Sequence, residues 1–510
     1  MVVRIHSVAF EGIEAVPVEV QVHIGAGLPA FTIVGLPDKT VAESRERVRA
    51  AIQSMGIAIP AKKILINLAP ADILKEGSHF DVPIALGLLT ALNMLPEDAM
   101  GEYIAMGELA LDGQLLPVAG VLPAALAAAA QQKGIICPEH NGAEAAFGGE
   151  HIDVLAPASL LALINHVKGQ QVLSPPSPSM VGTAHRGPDL SEVRGQDIAK
   201  RALEIAAAGA HNLLMIGPPG AGKSMLASCL PNILPPMDAN EMLEVNLVAS
   251  VAGNLVRGTF SNTRPFRAPH HSSSMAAMVG GGRRALPGEI SLSHQGVLFL
   301  DELPEYPRGV LESLRQPLET GTVSIARAEA HITYPARFQL IAAMNPCRCG
   351  YLDDVSRACS KAPKCAVDYQ SKLSGPLLDR IDMHVEVPAV ETLSMLTPSN
   401  AEPSTNVAAR VAEARAMQQK RFATMGIIAR TNSEVGGDAL QSMVQFDAAA
   451  QKLLEDATKR LQLSMRGLTR VMRVARTIAD LAGSPSVGHT HLAEALSYRQ
   501  QPQGRWIEAA

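Results

Sequence analysis

Residues 213–224 read Leu213-Leu214-Met215-Ile216-Gly217-Pro218-Pro219-Gly220-Ala221-Gly222-Lys223-Ser224. The apolar run at the start predicts a buried strand, and the apolar stretch after Ser224 predicts a helix. In that context G-x-x-x-x-G-K-S is typical of a phosphate-binding loop, whose glycines let backbone N–H groups turn toward phosphate oxygens. Lys223 is expected to reach the β- and γ-phosphates, and the Ser224 hydroxyl to bind Mg²⁺. The residues from Gly217 to Ser224 are therefore candidates for binding ATP and Mg²⁺, against the alternative of an ordinary glycine-rich turn.

Two further apolar runs end in polar residues. Residues 296–300 lead into Asp301 and Glu302. Asp301 can join the Mg²⁺ shell through water, and Glu302 can polarise the water that attacks the γ-phosphate. Residues 339–344 lead into Asn345, whose amide is expected to orient that water unless it only forms an Asn-Pro turn. The three runs predict a sheet that gathers these side chains at one edge.

Composition sets limits on the class of protein. The 510 residues suggest roughly three domains. A hydrophobic content of 47% and a charged content of 18% are typical of globular chains. The net charge of −5 provides no overall basic field, so any DNA-binding surface has to be local. Because we find no membrane-length apolar run, no signal-peptide layout and few cysteines, we expect a cytoplasmic protein without a membrane partner.

A proline-rich segment divides the chain. Before it, strands are expected at Val16–Ile24 and Ile64–Leu68 and a helix at Val41–Met55. The segment Leu173-Ser174-Pro175-Pro176-Ser177-Pro178-Ser179 predicts a semi-rigid spacer. The predicted units are an N-terminal α/β domain at 1–168, a linker at 169–188, an ATPase core at 189–398 and a helical lid at 399–510.

The N-terminal domain resembles the proteolytic domain of Lon-type proteases, which has a ribosomal-S5-like α/β fold. The resemblance is carried by Lys-Glu-Gly-Ser-His-Phe-Asp at 75–81 and by the segment 107–120, which opens Gly-Glu-Leu and closes Leu-Leu-Pro-Val-Ala-Gly. Those proteases use a Ser–Lys dyad, but His79 stands where the Ser belongs and 121–124 contain no Lys. Ser78 lacks a neighbouring base. We therefore expect a scaffold or partner-binding domain, with an ATP-dependent protease as the weaker alternative.

The phosphate loop, the acidic pair and Asn345 are followed by Leu-Leu-Asp-Arg-Ile-Asp at 377–382, an order that resembles AAA+ ATPases. In that family Arg380 would be the arginine finger, which acts on the nucleotide of a neighbouring subunit and makes hydrolysis depend on ring assembly. The alternative for Arg380 is an ion pair within the chain, with Asp379 or Asp382.

The lid contributes one more candidate. Arg466, in Leu-Ser-Met-Arg-Gly at 463–467, fits the second sensor of AAA+ proteins, which contacts the nucleotide from the lid. Arg470 and Arg473 share its helix face by spacing, so the alternative is a solvated basic face. The resulting catalytic candidates are Lys223, Asp301, Glu302, Asn345, Arg380 and Arg466.

More specific motifs flank the acidic pair. They are Arg-Pro-Phe-Arg-Ala-Pro-His-His-Ser-Ser-Ser at 264–274, Gly-Gly-Gly at 280–282, Pro-Gly-Glu-Ile-Ser-Leu-Ser-His at 287–294 and Leu-Arg-Gln-Pro-Leu-Glu at 314–319. With the N-terminal domain, they resemble the ComM (YifB) family of magnesium-chelatase-like AAA+ proteins over essentially the whole chain. Membership implies a homo-hexameric ring with an insert at 256–290 and a hairpin at 320–336. The activity it implies is that of a DNA helicase promoting branch migration when DNA is integrated during natural transformation.

Two other functions stay open. One is the motor subunit of a magnesium chelatase, which inserts Mg²⁺ into a porphyrin. The N-terminal domain argues against it, because chelatase motor subunits normally start near the ATPase core. The other is a protein-remodelling chaperone whose N-terminal domain recruits a client.

Arginines in the insert and the hairpin are candidates for contact with single-stranded or branched DNA. Their Gly/Ser/Pro-rich surroundings predict loops, and the absence of stacking aromatic residues favours phosphate contacts over base contacts. Solvated arginines are the alternative. The candidates are Arg267, Arg283, Arg284 and Arg327, with Arg257 and Arg264 nearby. His270 and His271 are adjacent, which makes a shared metal ion uncommon and favours a loop-packing or nucleotide-coupled role.

Four cysteines cluster between 347 and 365. They are Cys347, Cys349, Cys359 and Cys365. Four thiolates can hold a structural Zn²⁺ ion in a tetrahedron, and such a loop would help to aim Arg380. The alternative is reduced thiols in an ordinary loop.

Overall fold

The computed structural model describes residues 2–181, 187–255, 258–282, 285–326, 331–352, 359–389, 401–460 and 463–499. The candidate DNA contacts Arg283, Arg284 and Arg327, together with Arg257, lie outside these ranges. Within the described ranges, no helix combines the length and the apolar character needed to cross a bilayer.

The N-terminal region is built on a seven-stranded mixed sheet. Across the sheet the strands are Ala30–Val34, Lys63–Ala69, Glu14–Gly25, Val2–Glu11, Tyr103–Ala105, Gly134–Ile136 and Val154–Leu155. Val18, Val20 and Val22 are buried at every second position, as expected when one face of a strand packs on a core. The helices Lys39–Ser54, Asp81–Ala91, Val121–Ala130 and Leu160–Val167 contribute residues to the cores beside this sheet. The helix and the two strands expected from the sequence pattern are confirmed.

The ATPase core is built on a five-stranded parallel sheet. Its strands, in spatial order, are Phe266–Arg267, Val297–Leu300, Gln339–Met344, Leu213–Ile216 and Met383–Glu386. Leu213 and Met215 pack in a core shared with the helix Asp197–Gly209, whereas Leu214 and Ile216 pack in a core on the opposite face. Because both faces are covered, every residue of the three central strands is buried. This is the predicted α/β fold of an AAA+ core.

The C-terminal region is helical. Its helices are Ser404–Met425, Gly437–Met443, Ala448–Arg460, Met465–Leu481 and His489–Ser497. Val411, Ala414 and Val474 join the same core as the helix Asp197–Gly209, which attaches this region to the ATPase sheet.

The remaining elements frame the sheets. The other helices are Glu97–Gly101, Gly142–Ala145, Lys223–Cys229, Ala239–Val251, Met275–Val279, Glu289–Leu292, Arg308–Ser313, Pro317–Thr320, Lys364–Gln370 and Gly375–Leu378. The two-stranded pairs are Glu108–Leu109 with Leu115–Leu116, Met180–Val181 with Phe260–Ser261, Gly280–Gly281 with Leu286–Pro287, and Thr322–Ala326 with His331–Pro335. The last pair is the hairpin expected from the sequence.

Candidate nucleotide-binding site

The phosphate loop joins the strand Leu213–Ile216 to the helix Lys223–Cys229. Gly222 has a φ of +88°, a conformation that a residue with a Cβ rarely adopts. A Cβ on Gly217 would lie 2.0 Å from the carbonyl oxygen of Val387, so only glycine fits there. The loop is therefore pressed against the adjacent strand end, with the helix N-terminus behind it.

Lys223 is folded back into its own loop and is 8% exposed. Its Nζ donates to the Gly217 and Pro218 carbonyl oxygens at 2.7 and 2.8 Å and to Asn345 Oδ1 at 3.1 Å. Burial lowers the pKa of Lys223, and Asp301 and Glu302 oppose that shift. The sheet thus brings together the loop lysine and the candidate water-orienting amide, which are distant in the sequence.

The two candidate Mg²⁺ ligands touch each other. Ser224 Oγ donates to Asp301 Oδ2 at 2.6 Å, and the Glu302 N–H donates to Asp301 Oδ1 at 2.9 Å. A serine hydroxyl and a carboxylate at this separation are hard oxygen donors of the kind that Mg²⁺ takes alongside water and phosphate oxygens. Ser224 and Asp301 fit a Mg²⁺ ion bound with ATP.

Glu302 is held in an unusual backbone conformation and contacts a histidine. Its φ is +52°, and its side chain is half exposed beside the loop. His271 Nδ1 lies 3.3 Å from Glu302 Oε2. The sequence left the role of the paired histidines open, and the structure puts one of them on the candidate base.

The two candidate arginines lie near the amino ends of the parallel strands, away from the carboxyl ends that carry the phosphate loop. Arg380 precedes the strand Met383–Glu386, whose residues pair in parallel register with Leu213–Ile216. Four residues of strand span roughly 13 Å, so Arg380 and the phosphate loop stand at opposite ends of the same sheet. Arg380 cannot reach the nucleotide bound by its own chain.

Arg380 is 6% exposed and pairs with Glu319, not with the Asp379 or Asp382 considered from the sequence. Its NH1 group donates to the Pro376 carbonyl oxygen at 2.6 Å, while among described residues its Nε finds no acceptor. Arg466 shares the carboxylate of Glu319, at 3.7 Å. The two arginines thus form one cluster, in which both pair with the carboxylate of Glu319.

The basic face of the lid helix Met465–Leu481 is only partly solvated. Arg470 donates to the Asp379 carbonyl oxygen at 2.8 Å, and Arg473 donates to the Val435 carbonyl oxygen at 2.6 Å. Arg466, by contrast, has a side chain that is 64% exposed. These arginines and Arg380 line a cavity of about 840 Å³ at the edge of the sheet away from the phosphate loop.

The cysteine cluster lies directly after Asn345. Three thiols, those of Cys347, Cys349 and Cys365, lie within 4.8 Å of one another. Cys359 Sγ is 3.4 Å from Cys365 Sγ. The Cys347 thiol lies 3.0 Å from the Cys349 sulfur, and this hydrogen bond lowers the pKa of Cys349 to about 6. The structure therefore brings three of the four predicted ligands into one cluster, near the S···S separation of roughly 3.8 Å in a tetrahedral zinc–thiolate site, and places the fourth, Cys359, beside Cys365.

The polar residues of the segment 75–81, which resembles Lon-type proteases, form hydrogen bonds within the N-terminal domain. Ser78 Oγ donates to the Glu108 carboxylate, and the Lys75 ammonium donates to the Pro70 carbonyl oxygen. The ring of His79 is buried and bonds to the Val8 carbonyl oxygen at 2.9 Å. None of these described contacts joins a nucleophilic hydroxyl to a lysine.

Arg267 is the candidate DNA contact that falls within the described residues. Its guanidinium makes two bonds of 2.6 Å to the carboxylate of Glu289. Arg264 is likewise paired, with Glu241. Both arginines are therefore paired with carboxylates of the same chain. Sequence analysis did not predict these pairs, because Glu289 and Glu241 come near only in the folded structure.

Family models match most of the chain. One described as magnesium chelatase, subunit ChlI, matches residues 189–395. One described as subunit ChlI of Mg-chelatase matches 20–141, and one for the ChlI C-terminal part matches 401–499.

Curated proteins match with nearly full coverage. Competence protein ComM of Haemophilus influenzae is 43% identical over 97% of this chain and 97% of its own length. YifB of Escherichia coli is 43% identical over 97% of this chain and 96% of its own. The magnesium-chelatase 38 kDa subunit of Rhodobacter capsulatus is 25% identical over 61% of this chain and 87% of its own.

Proposed function

This chain belongs to the ComM (YifB) family of magnesium-chelatase-like AAA+ ATPases, and on that premise we propose that it is an ATP-driven DNA motor that works as a ring of six subunits. The observation that carries the proposal is the split site: the phosphate-binding residues and the arginines stand at opposite edges of one sheet. A second copy of the chain has to supply the arginines.

In the proposed reaction Lys223 leaves the Gly217 and Pro218 carbonyl oxygens and donates to the phosphates of ATP instead. Ser224 and Asp301 hold Mg²⁺, which when bound neutralises charge on the phosphates. Glu302 accepts the proton of the attacking water, and Asn345 orients that water. Arg380 and Arg466 of the neighbouring subunit exchange Glu319 for the γ-phosphate and stabilise the charge that develops there.

For the work on DNA, the name of the Haemophilus relative supports a role in competence. We expect branch migration while DNA is integrated, with phosphate contacts from Arg283, Arg284 and Arg327. Arg267 is a weaker candidate, because Glu289 already neutralises it. The chelatase function is the second candidate, carried by the Rhodobacter subunit, but its lower identity and shorter coverage of this chain place it behind the motor.

The cysteine cluster is proposed as a structural Zn²⁺ site. It braces the phosphate loop from behind, because a Cβ on Gly350 would meet the ring of Pro219 at 2.6 Å. Purified full-length protein is expected to contain one zinc ion per chain, and Cys349→Ser is expected to lose it. Cys229→Ser, which lies outside the cluster, is expected to keep the metal, and a metal-free wild type would refute the site.

The N-terminal domain is proposed to be proteolytically inactive, since the described contacts of Ser78 and Lys75 supply no activated nucleophile. Purified protein should leave casein intact in the presence of ATP. ATP-dependent cleavage that disappears in Ser78→Ala would overturn this part of the proposal.

A mixing experiment tests the split site. Glu302→Gln retains Arg380 but lacks the base, whereas Arg380→Ala retains the base but lacks the finger. Each variant alone is expected to hydrolyse ATP at least roughly a hundredfold slower than wild type. Mixed rings are expected to regain activity, because some interfaces combine an intact Glu302 with an intact Arg380. Additive, inactive mixtures at ring-forming concentrations would contradict an arginine acting between subunits.

A further inference from the structure

The N-terminal domain is fastened to the ATPase core through a buried polar joint. The Gly120 N–H donates to the Ser250 carbonyl oxygen at 3.0 Å, and the Leu122 N–H lies 3.4 Å from Ser250 Oγ. Ser250 belongs to the helix Ala239–Val251, which we call the joint helix. Val121 and Leu122, at the position where Lon-type proteases carry their lysine, are fully buried beneath it.

Glu144 is the centre of this joint and is 2% exposed. Its Oε1 accepts from Ser250 Oγ at 2.5 Å and from the Leu122 N–H at 3.0 Å, and its Oε2 accepts from Asn141 Nδ2 at 2.9 Å. A carboxylate taken out of water remains tolerable only with such partners. Glu144 therefore locks the joint helix to the N-terminal domain in one arrangement.

Apolar and steric contacts extend the joint into the start of the insert. The rings of Phe147 and Phe260 stack with centroids 3.7 Å apart and planes 6° from parallel. A Cβ on Gly258 would lie 3.1 Å from the Glu144 backbone nitrogen. The backbone of the insert thus runs directly against the N-terminal domain.

The same domain also touches the hairpin Thr322–Ala326/His331–Pro335. A Cβ on Gly12 would lie 3.1 Å from both Ile332 Cγ2 and the Thr333 carbonyl oxygen. Ile13 packs against the core that contains Ile332 and Tyr334. The turn between the first two strands of the N-terminal sheet therefore packs against the middle of the hairpin's second strand.

From these two contacts we infer that the N-terminal domain is a rigid base for the insert and the hairpin, the two elements that reach DNA in the proposed motor. It stays docked through the ATPase cycle and gives both elements a common support, so that force from hydrolysis reaches DNA. This inference rests on the proposed motor function and gives a mechanical use to the surface that resembles Lon-type proteases.

The first test loosens the joint. Glu144→Ala leaves buried donors unsatisfied, whereas Glu139→Ala removes an exposed carboxylate nearby and serves as the control. Glu144→Ala is expected to keep the DNA-free ATPase rate and to lose most of the several-fold stimulation by forked DNA. Glu139→Ala is expected to match wild type in both rates.

The second test locks the joint. A Cβ on Gly253 would lie 3.7 Å from the Cβ of Ala119, within the range for a disulfide. Ala119→Cys/Gly253→Cys, oxidised, is expected to keep DNA stimulation, and in the Glu144→Ala background oxidation is expected to restore it. Wild type treated with the same oxidant controls for the native cysteines, and the reduced double variant controls for strain at Gly253, whose φ is +70°.

The outcomes separate the two proposals. A wild type that DNA never stimulates refutes the motor. A stimulated wild type whose stimulation survives Glu144→Ala, or is abolished by the oxidised lock and regained on reduction, refutes the rigid base alone.

Discussion

Replacing His271 by Ala removes the side chain that pairs with the carboxylate of the candidate base Glu302. The contact is 3.3 Å long, with side chains 36% and 50% exposed. A pair this exposed contributes about 0.2–1 kcal/mol, which corresponds to a factor of roughly 1.5–5 in a population or a rate. Since the imidazole lies against the carboxylate oxygen that has to accept the proton of water, we expect His271→Ala to raise the DNA-free kcat within that range.

The measurement is steady-state ATPase without DNA, with KM and kcat determined separately. KM for ATP is expected to stay unchanged, because His271 has no described contact with the phosphate loop. His270→Ala is the matched control, since the His270 ring bonds to Ser272 Oγ at 2.8 Å instead. A kcat that falls in His271→Ala but not in His270→Ala would show that the imidazole assists Glu302, the opposite of the expected effect.

Three further predictions concern stability, nucleotide binding and pH. Gly217→Ala should lower the free energy of unfolding, measured by urea denaturation, by about 1–3 kcal/mol, because the added methyl group meets the Val387 carbonyl oxygen. Gly101→Ala is the control and should be neutral, because a Cβ there meets nothing within 4 Å. Lys223→Ala should weaken ATP binding at least roughly tenfold in a fluorescent-nucleotide titration, and unchanged affinity would remove Lys223 from the site. Burial raises the pKa of Glu144 above its ordinary 4.5, so the folded state binds this proton more tightly than the unfolded state does. The free energy of unfolding of the wild type should therefore fall as the pH rises from 4.5 to the raised pKa, relative to that of Glu144→Gln. Parallel pH profiles of the two proteins would contradict that burial effect.

Local pattern was enough to predict the sheet and its polar edge. The strand Leu213–Ile216 and the strand that ends before Asn345 are short apolar runs followed by chemistry-bearing residues, and parallel pairing brings such strand ends together. That rule places the phosphate loop beside Asn345, where the structure adds a hydrogen bond from Lys223.

Contacts between side chains that are far apart in the sequence have no comparable local pattern from which they could be predicted. Glu319 is the acid that holds Arg380, yet acids closer in sequence, Asp379 and Asp382, were the natural choice. The contact of Glu144 with Ser250 spans two domains and 106 positions, and neither residue stands in a motif. Periodicity shows which face of an element is buried, but it does not show which element covers that face.

The position of His271 was partly within reach of the sequence. It follows the strand Phe266–Arg267, which pairs in parallel with Val297–Leu300, so both strand ends meet at the edge where Glu302 stands. A two-residue strand is too short to show a periodicity, so it cannot be recognised from the sequence. For that reason sequence analysis did not predict that His271 would contact Glu302.

The proposed motor is a ring-shaped ATPase that DNA stimulates. Its most direct test is the ATPase rate as a function of protein concentration, with and without single-stranded, duplex and forked DNA, with Glu302→Gln as the inactive control. The rate is expected to be cooperative in protein and to rise several-fold with DNA. A rate that is linear in protein and indifferent to every DNA at all concentrations would contradict it.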